Sequence, residues 1–198
     1  MDKVIKKLKT LKDIYIVILD KENLLDSRII KYFISKGLQI YKISRFSEKR
    51  IEDILKQADI VLLSSFNNEK FNLKINELCV KNNVPFLTAR MFLTFCEIGP
   101  LVIPYKTACF KCYQLRLESN NSKISANLKT PTKFFPFLTI FTSFIFLELI
   151  NFLILKTSSS IGNILEIDFK NFSIKKHPVL KVPFCPVCGD KYGRQFIR

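Results

Sequence analysis

The chain of 198 residues has no tryptophan, one histidine, two methionines and only five glycines, and its 17 acidic residues are outnumbered by 32 lysines and arginines. Each shortage excludes something. With His177 the sole histidine and no conspicuous acid cluster, neither a general acid–base pair nor a serine triad can be assembled. With so few glycines there is no Gly-rich phosphate loop. The turn after the first apolar run reads LDKENLLDSR, and the next glycine, Gly37, lies beyond the first helical segment. The amino terminus also lacks a secretion signal. Its apolar run Ile14–Leu19 is short and ends in Asp20 without a small-residue cleavage site, so it reads as a first strand of a cytoplasmic protein.

What is present supports a core. Hydrophobic residues make up 48% of the chain, enough for one domain, or one domain with a small appendage, that needs no disulfide. The net charge of +15 favours an acidic partner without choosing among nucleic acid, anionic lipid and acidic peptide. The abundance of Lys, Ile, Asn and Phe offers a second source for that charge, a bias toward AT-rich codons.

The first hundred residues alternate between strand and helix patterns. Strands are expected at Asp13–Asp20, Leu38–Ser44, Asp59–Ser65 and Val84–Phe92, with helices at Leu24–Gly37, Glu48–Ala58 and Lys74–Asn83. That alternation predicts an α/β fold, a Rossmann-like and mostly parallel sheet covered by helices. From Cys96 onward, Gly99, Pro100 and Pro104 are expected to break up any long regular element. A helix start follows Cys112, then a polar linker Ser119–Lys133, an apolar helix Phe134–Leu155 and a strand Asn163–Phe169. The apolar helix is long enough to span a bilayer. Pro136, Glu148, Asn151 and its hydroxyl residues favour instead a helix buried in protein, with apolar residues all round and Glu148 and Asn151 sharing one face. The working division is residues 1–104, Rossmann-like without a standard nucleotide loop, and residues 105–198, the cysteine-bearing region, in one compact domain.

Four of the six cysteines stand in pairs, Cys109-x-x-Cys112 and Cys185-x-x-Cys188, the second within CPVCG. Two thiolates at this spacing bind one ion from a tight turn, Gly189 permits the knuckle conformation, and two knuckles complete a tetrahedral shell. A closed four-thiolate shell implies a structural zinc that ties the tail to the loop before the apolar helix. Redox cycling is the competing reading for either pair taken alone. Cys79 and Cys96 read as buried small hydrophobes, and His177 as a packing or surface residue.

The stretch IGPLVIPYKTACFKCYQLRLESN, followed downstream by an apolar helix containing Glu148, IGNILEIDF and HPVLKVPFCPVCG, resembles the ThiF/MoeB-like ubiquitin-activating superfamily. More narrowly it is similar to the ThiF-like partner proteins of YcaO cyclodehydratases that make thiazole- and oxazole-modified peptides. The match runs from about Cys96 to Gly189. It implies a bacteriocin-type biosynthetic role in which Cys109, Cys112, Cys185 and Cys188 hold one zinc and the chain docks a YcaO-type cyclodehydratase and helps present a precursor peptide. Adenylation is not carried over, because the nucleotide loop is missing, and the YcaO-associated relatives are themselves non-adenylating. Fuller relatives carry an amino-terminal winged-helix peptide clamp. No room for one exists before Asp13, so leader binding is expected only if another chain supplies the clamp. A homodimer is compatible with the resemblance; nucleic acid and membrane partners are not expected.

Two other functions remain open on the residues. One is a minimal adenylating or sulfur-transfer enzyme with a nonstandard ATP site. The other is a zinc-ribbon nucleic-acid binder, for which Tyr105, Phe110, Tyr113 and Arg116 approach an aromatic–basic pattern, although aromatics there suit packing around a metal better.

Overall fold

The computed structural model describes residues 11–43, 48–65, 68–120 and 134–189. The expected polar linker lies largely outside these residues. Strand β1 (Tyr15–Asp20) is followed by α1 (Ser27–Ser35), β2 (Gln39–Ile43), α2 (Glu48–Leu55), β3 (Ile60–Ser64), α3 (Glu69–Lys81) and β4 (Phe86–Met91). Then come β5 (Phe95–Val102), α4 (Phe110–Ser119), α5 (Phe135–Ile150) with a π-helical turn (Asn151–Leu155), β6 (Asn163–Asp168) and β7 (Ser173–Pro178). The seven strands form one sheet in the order β2-β1-β3-β4-β5-β6-β7. Pairings from β2 to β4 are parallel, as the alternating βαβ pattern requires, and those from β4 to β7 are antiparallel.

Strand β1 shows why the sheet is covered on both sides. Ile16 and Ile18 belong to one apolar cluster with α1 and α5, whereas Val17 and Leu19 belong to another with α2, α3, α4 and the paired cysteines. A strand buried on both faces reads as a continuous apolar run. Helix α3 begins at Glu69, five residues before the expected Lys74, because Asn68 caps it by accepting from the Phe71 amide at 3.2 Å.

Three expectations change. Gly99 and Pro100 do not interrupt the chain; they sit inside the eight-residue strand β5. The register passes from Leu87↔Leu101 to Ala89↔Ile98, so Gly99 and Pro100 together oppose Thr88, whose hydroxyl donates to the Gly99 carbonyl at 2.6 Å. This bulge accommodates a residue without an N–H. Gly99, at φ 114°, also lies so near β6 that a Cβ would stand 2.2 Å from the Asn163 carbonyl oxygen. Second, the segment through His177, for which no regular element was expected, is a strand, β7, at the sheet edge.

Third, the apolar helix is buried on one side only. Phe141, Ile145, Phe146 and Leu149 pack into the core, with Phe146 stacked on Phe33 of α1 at 4.6 Å, while Phe135 and Leu147 are about half exposed, at 50% and 51%. A helix lying on a sheet buries one stripe, and a sequence apolar all round cannot say which. The span Phe135–Leu155 is long and apolar enough to cross a membrane, with a mean hydropathy of 2.2 in its most apolar window, of which 33% is buried. Glu148 does find partners. Its buried carboxylate accepts from the Ser160 amide at 2.8 Å, the Ser160 hydroxyl at 2.7 Å and the Ser158 hydroxyl, tying the end of α5 to the loop before β6. Glu148→Ala strands these donors and is expected to cost about 2–4 kcal/mol in chemical denaturation; a loss below about 0.5 kcal/mol would show that the loop satisfies itself.

Candidate metal centre

The four paired cysteines converge although they come from opposite ends of the cysteine-bearing region. All are buried, and their sulfurs lie within 4.8 Å of one another. Cys109 Sγ stands 4.0 Å from Cys112 Sγ and 3.7 Å from Cys185 Sγ, and Cys112 Sγ stands 3.4 Å from Cys188 Sγ. A tetrahedral ion with metal–sulfur bonds of about 2.3 Å sets its sulfurs roughly 3.8 Å apart, so the spacing fits one four-thiolate site. The cluster could hold a metal ion. All six cysteines are free thiols. Cys79 and Cys96 are buried and are not part of the quartet, and burial pushes both thiols well above the ordinary range.

Local structure fixes this geometry. Cys109 is the N-cap of α4, which places Cys112 one turn along the helix. On the tail side, the Gly189 amide donates to the Cys185 carbonyl at 2.8 Å. A Cβ at Gly189 would stand 2.4 Å from the Cys185 nitrogen and 2.6 Å from the Pro183 carbonyl oxygen, so no larger residue fits the knuckle. The Val182 amide donates to Cys112 Sγ at 3.4 Å. Crowding splits the acidities. Hydrogen bonds from Cys109 and Cys188 pull the Cys112 thiol down, and hydrogen bonding to Cys112 and Cys188, followed by burial, pushes Cys109 up. Four thiolates this close need a cation to neutralise them.

Beside the cluster lies a charge network that the sequence did not reveal. Arg90 of β4, Glu97 of β5, Glu166 of β6 and Lys175 of β7 face one another across consecutive strands. Buried Arg90 ion-pairs with Glu97 and hydrogen-bonds the Tyr113 hydroxyl of α4, joining the helix of the first cysteine pair to the sheet. Burial alone would lower Arg90, but Glu97 and Tyr113 more than offset it, and burial pushes Tyr113 up to about 12. Half-exposed His177 lies 3.6 Å from Glu166. Phe110 and Tyr113 are buried, so they offer no stacking platform to a base.

At the carboxyl ends of the parallel strands, where open α/β sheets place ligands, a carboxylate of the chain fills the turn. Asp20, fully buried, accepts from the Leu24 amide at 2.8 Å, the Leu25 amide at 3.3 Å and Lys42 Nζ at 3.0 Å. Asp26 caps α1, accepting from the Arg28 amide at 2.9 Å and pairing with its guanidinium, which holds the carboxyl down to about 2. An incoming phosphate would therefore meet two carboxylates where it needs free amides.

An α/β sheet covered on both faces, with a four-thiol knuckle pair clasping its tail to the helix after β5, defines a Rossmann-like protein with a candidate structural metal centre. The family model described as ThiF family matches residues 34–187 of 198, and the chain belongs to that family. Among solved structures, it is similar to the heterocyclase TruD (TM-score 0.72, 15% identity, covering 96% of this chain and 29% of that one). It is also similar to a heterocyclase solved with substrate and cofactor (TM-score 0.73, 13% identity, 96% and 27%). E. coli MccB, solved with ATP, gives a TM-score of 0.65 at 18% identity over 93% of this chain and 69% of that one. At these identities the likeness is one of fold. The chain spans less than a third of the length of either heterocyclase. No curated protein sequence matches it.

Proposed function

We propose that this chain is a non-adenylating ThiF-like scaffold of the cytoplasm. In this reading it docks a YcaO-type cyclodehydratase and helps present a precursor peptide for azoline and azole formation, as part of thiazole/oxazole-modified peptide biosynthesis. Cys109, Cys112, Cys185 and Cys188 hold one zinc, whose chemistry is structural: four thiolates close its shell and leave no position for substrate. The protein's own residues do the rest. Cys109 and Cys112 are carried by α4, Gly189 shapes the second knuckle, and Arg90 fastens α4 to the sheet.

The observation that carries this reading is the Asp20 carboxylate in the turn after β1, seated on the Leu24 and Leu25 amides within a fold shared with two heterocyclases. The likeness to MccB, solved with ATP, favours the alternative of an adenylating enzyme. Against it, Asp20 and Asp26 oppose a bound triphosphate. One experiment separates the two. Co-expressed with a YcaO-type cyclodehydratase and its precursor peptide, the chain is expected to co-purify with the cyclodehydratase, and alone to show neither micromolar ATP binding by titration calorimetry nor precursor-dependent pyrophosphate exchange. Exchange by the isolated chain would establish the enzyme and end the scaffold reading.

A further inference from the structure

A cavity of 460 Å³, within the range of about 300–1,000 Å³ typical of small-ligand sites, opens between α4 and strands β5 to β7, and none of the four paired cysteines lines it. Tyr113, Arg116 and Leu117, at helical spacing on one side of α4, form its roof. Its floor carries Glu97 and Glu166, directly opposite each other on β5 and β6. Like charges so placed destabilise a sheet, and in a chain of net charge +15 an acidic floor is the exception. That floor is short of positive charge. Glu97, largely buried, gives Oε2 to Arg90, while its Oε1 has no donor among the described residues. Glu166 has half-exposed His177 beside it at 3.6 Å, and among the described residues it makes no ion pair with Lys175, its neighbour on β7. Arg116, the one ammonium or guanidinium among the described residues that line the cavity, reaches the Lys181 carbonyl at 3.5 Å and pairs with neither acid. The carbonyl end of α4 borders the same space and adds negative potential.

We propose that this cavity binds an aliphatic cation, whose ammonium or guanidinium group donates to Glu97 Oε1 and to Glu166 while its carbon stem lies against Leu117, Ile164 and Val179. Bridging the two carboxylates relieves their repulsion, and the apolar walls take the stem as they take any aliphatic chain leaving water. A carboxylate floor turns anions away. A bare metal ion finds no third ligand here, because the cysteine quartet is the one cluster of three or more metal-ligating side chains among the described residues. The cation can arrive on a lysine or arginine of another polypeptide or as a free amine, and the chemistry at the floor is the same. The inference depends on neither the metal nor the scaffold reading.

His177 makes the test direct, since the sole histidine of the chain lines the cavity and gives unshared imidazole signals in NMR. The full chain is titrated at constant pH and ionic strength with n-pentylammonium, with Nα-acetyl-lysine methylamide and with uncharged n-pentanol. Saturable shifts of the His177 ring are expected with the cations and not with pentanol. Binding of the lysine derivative identifies a polypeptide side chain as the source, and binding of pentylammonium alone identifies a free amine; silence with both, or equal binding of pentanol, overturns the proposal. Glu166→Gln keeps the size of the side chain and removes its charge, and is expected to weaken the bound cation about tenfold or more. Unaltered affinity in that variant would also overturn it. Should the variant not fold, nuclear Overhauser contacts from the pentyl methylenes to the Leu117 and Val179 methyls of the unaltered chain are expected, and their absence refutes the site.

Discussion

Cys185→Ser is expected to emerge from purification without zinc and to melt at least about 10 °C below the unaltered chain. Removing one thiolate opens the shell, leaves three crowded sulfurs without a counter-charge, and unties the tail from α4. Zinc binding by isolated knuckle peptides is worth about 10–16 kcal/mol, and a chain of this size loses about 2–4 °C of melting temperature per kcal/mol, so even a third of that energy gives a drop of this size. Metal content by elemental analysis should read one zinc per unaltered chain and near zero for the variant. Cys79→Ala is the control, because Cys79 is buried outside the cluster and should leave the zinc in place. Full zinc retention by Cys185→Ser would remove that residue from the ligand set.

Nearly as large an effect is expected from Arg90→Met. Glu97 is buried, pairs with Arg90 on one side and faces the Glu166 carboxylate on the other. Taking Arg90 away leaves two opposed acids, one of them desolvated, and frees the Tyr113 hydroxyl that fastened α4. Breaking a buried pair by removing one partner costs about 3–5 kcal/mol, or roughly 10 °C or more here. Adding Glu97→Leu should recover much of the loss, since an apolar replacement of both partners is often tolerated. If the double variant melts no higher than Arg90→Met alone, the deficit arises from something other than the stranded charge.

How far these features could be read from the residues depended on whether each was a property of one segment or of a pairing. The parallel half was legible because strands buried on both faces, such as β1, are unbroken apolar runs. The cysteine quartet was legible because knuckle spacing belongs to the chain itself. Gly99 and Pro100 misled because a bulge is a property of two strands, visible only once Thr88 is set opposite them. Strand β7 carries mainly exposed residues and so has no alternation to detect. The exposed side of α5 was hidden by a helix apolar all round. Asp20 showed only as the polar end of a strand, and its hold on the turn amides came from geometry.

The distance along the chain between the two knuckles sets the order in which the protein can be completed as it leaves the ribosome. Strands β1 to β4 are finished by Met91 and pair among themselves, so the parallel half can assemble early in synthesis. The cysteine-bearing end of α4 cannot. Its partners arrive 76 residues later, and until Cys188 has been translated and has cleared the exit tunnel, Cys109 and Cys112 are a lone dithiol. During that interval the nascent chain is exposed to oxidants and to competing metals. Closure of the second knuckle then brings the four thiols together, so the quartet forms only after all seven strands have been translated.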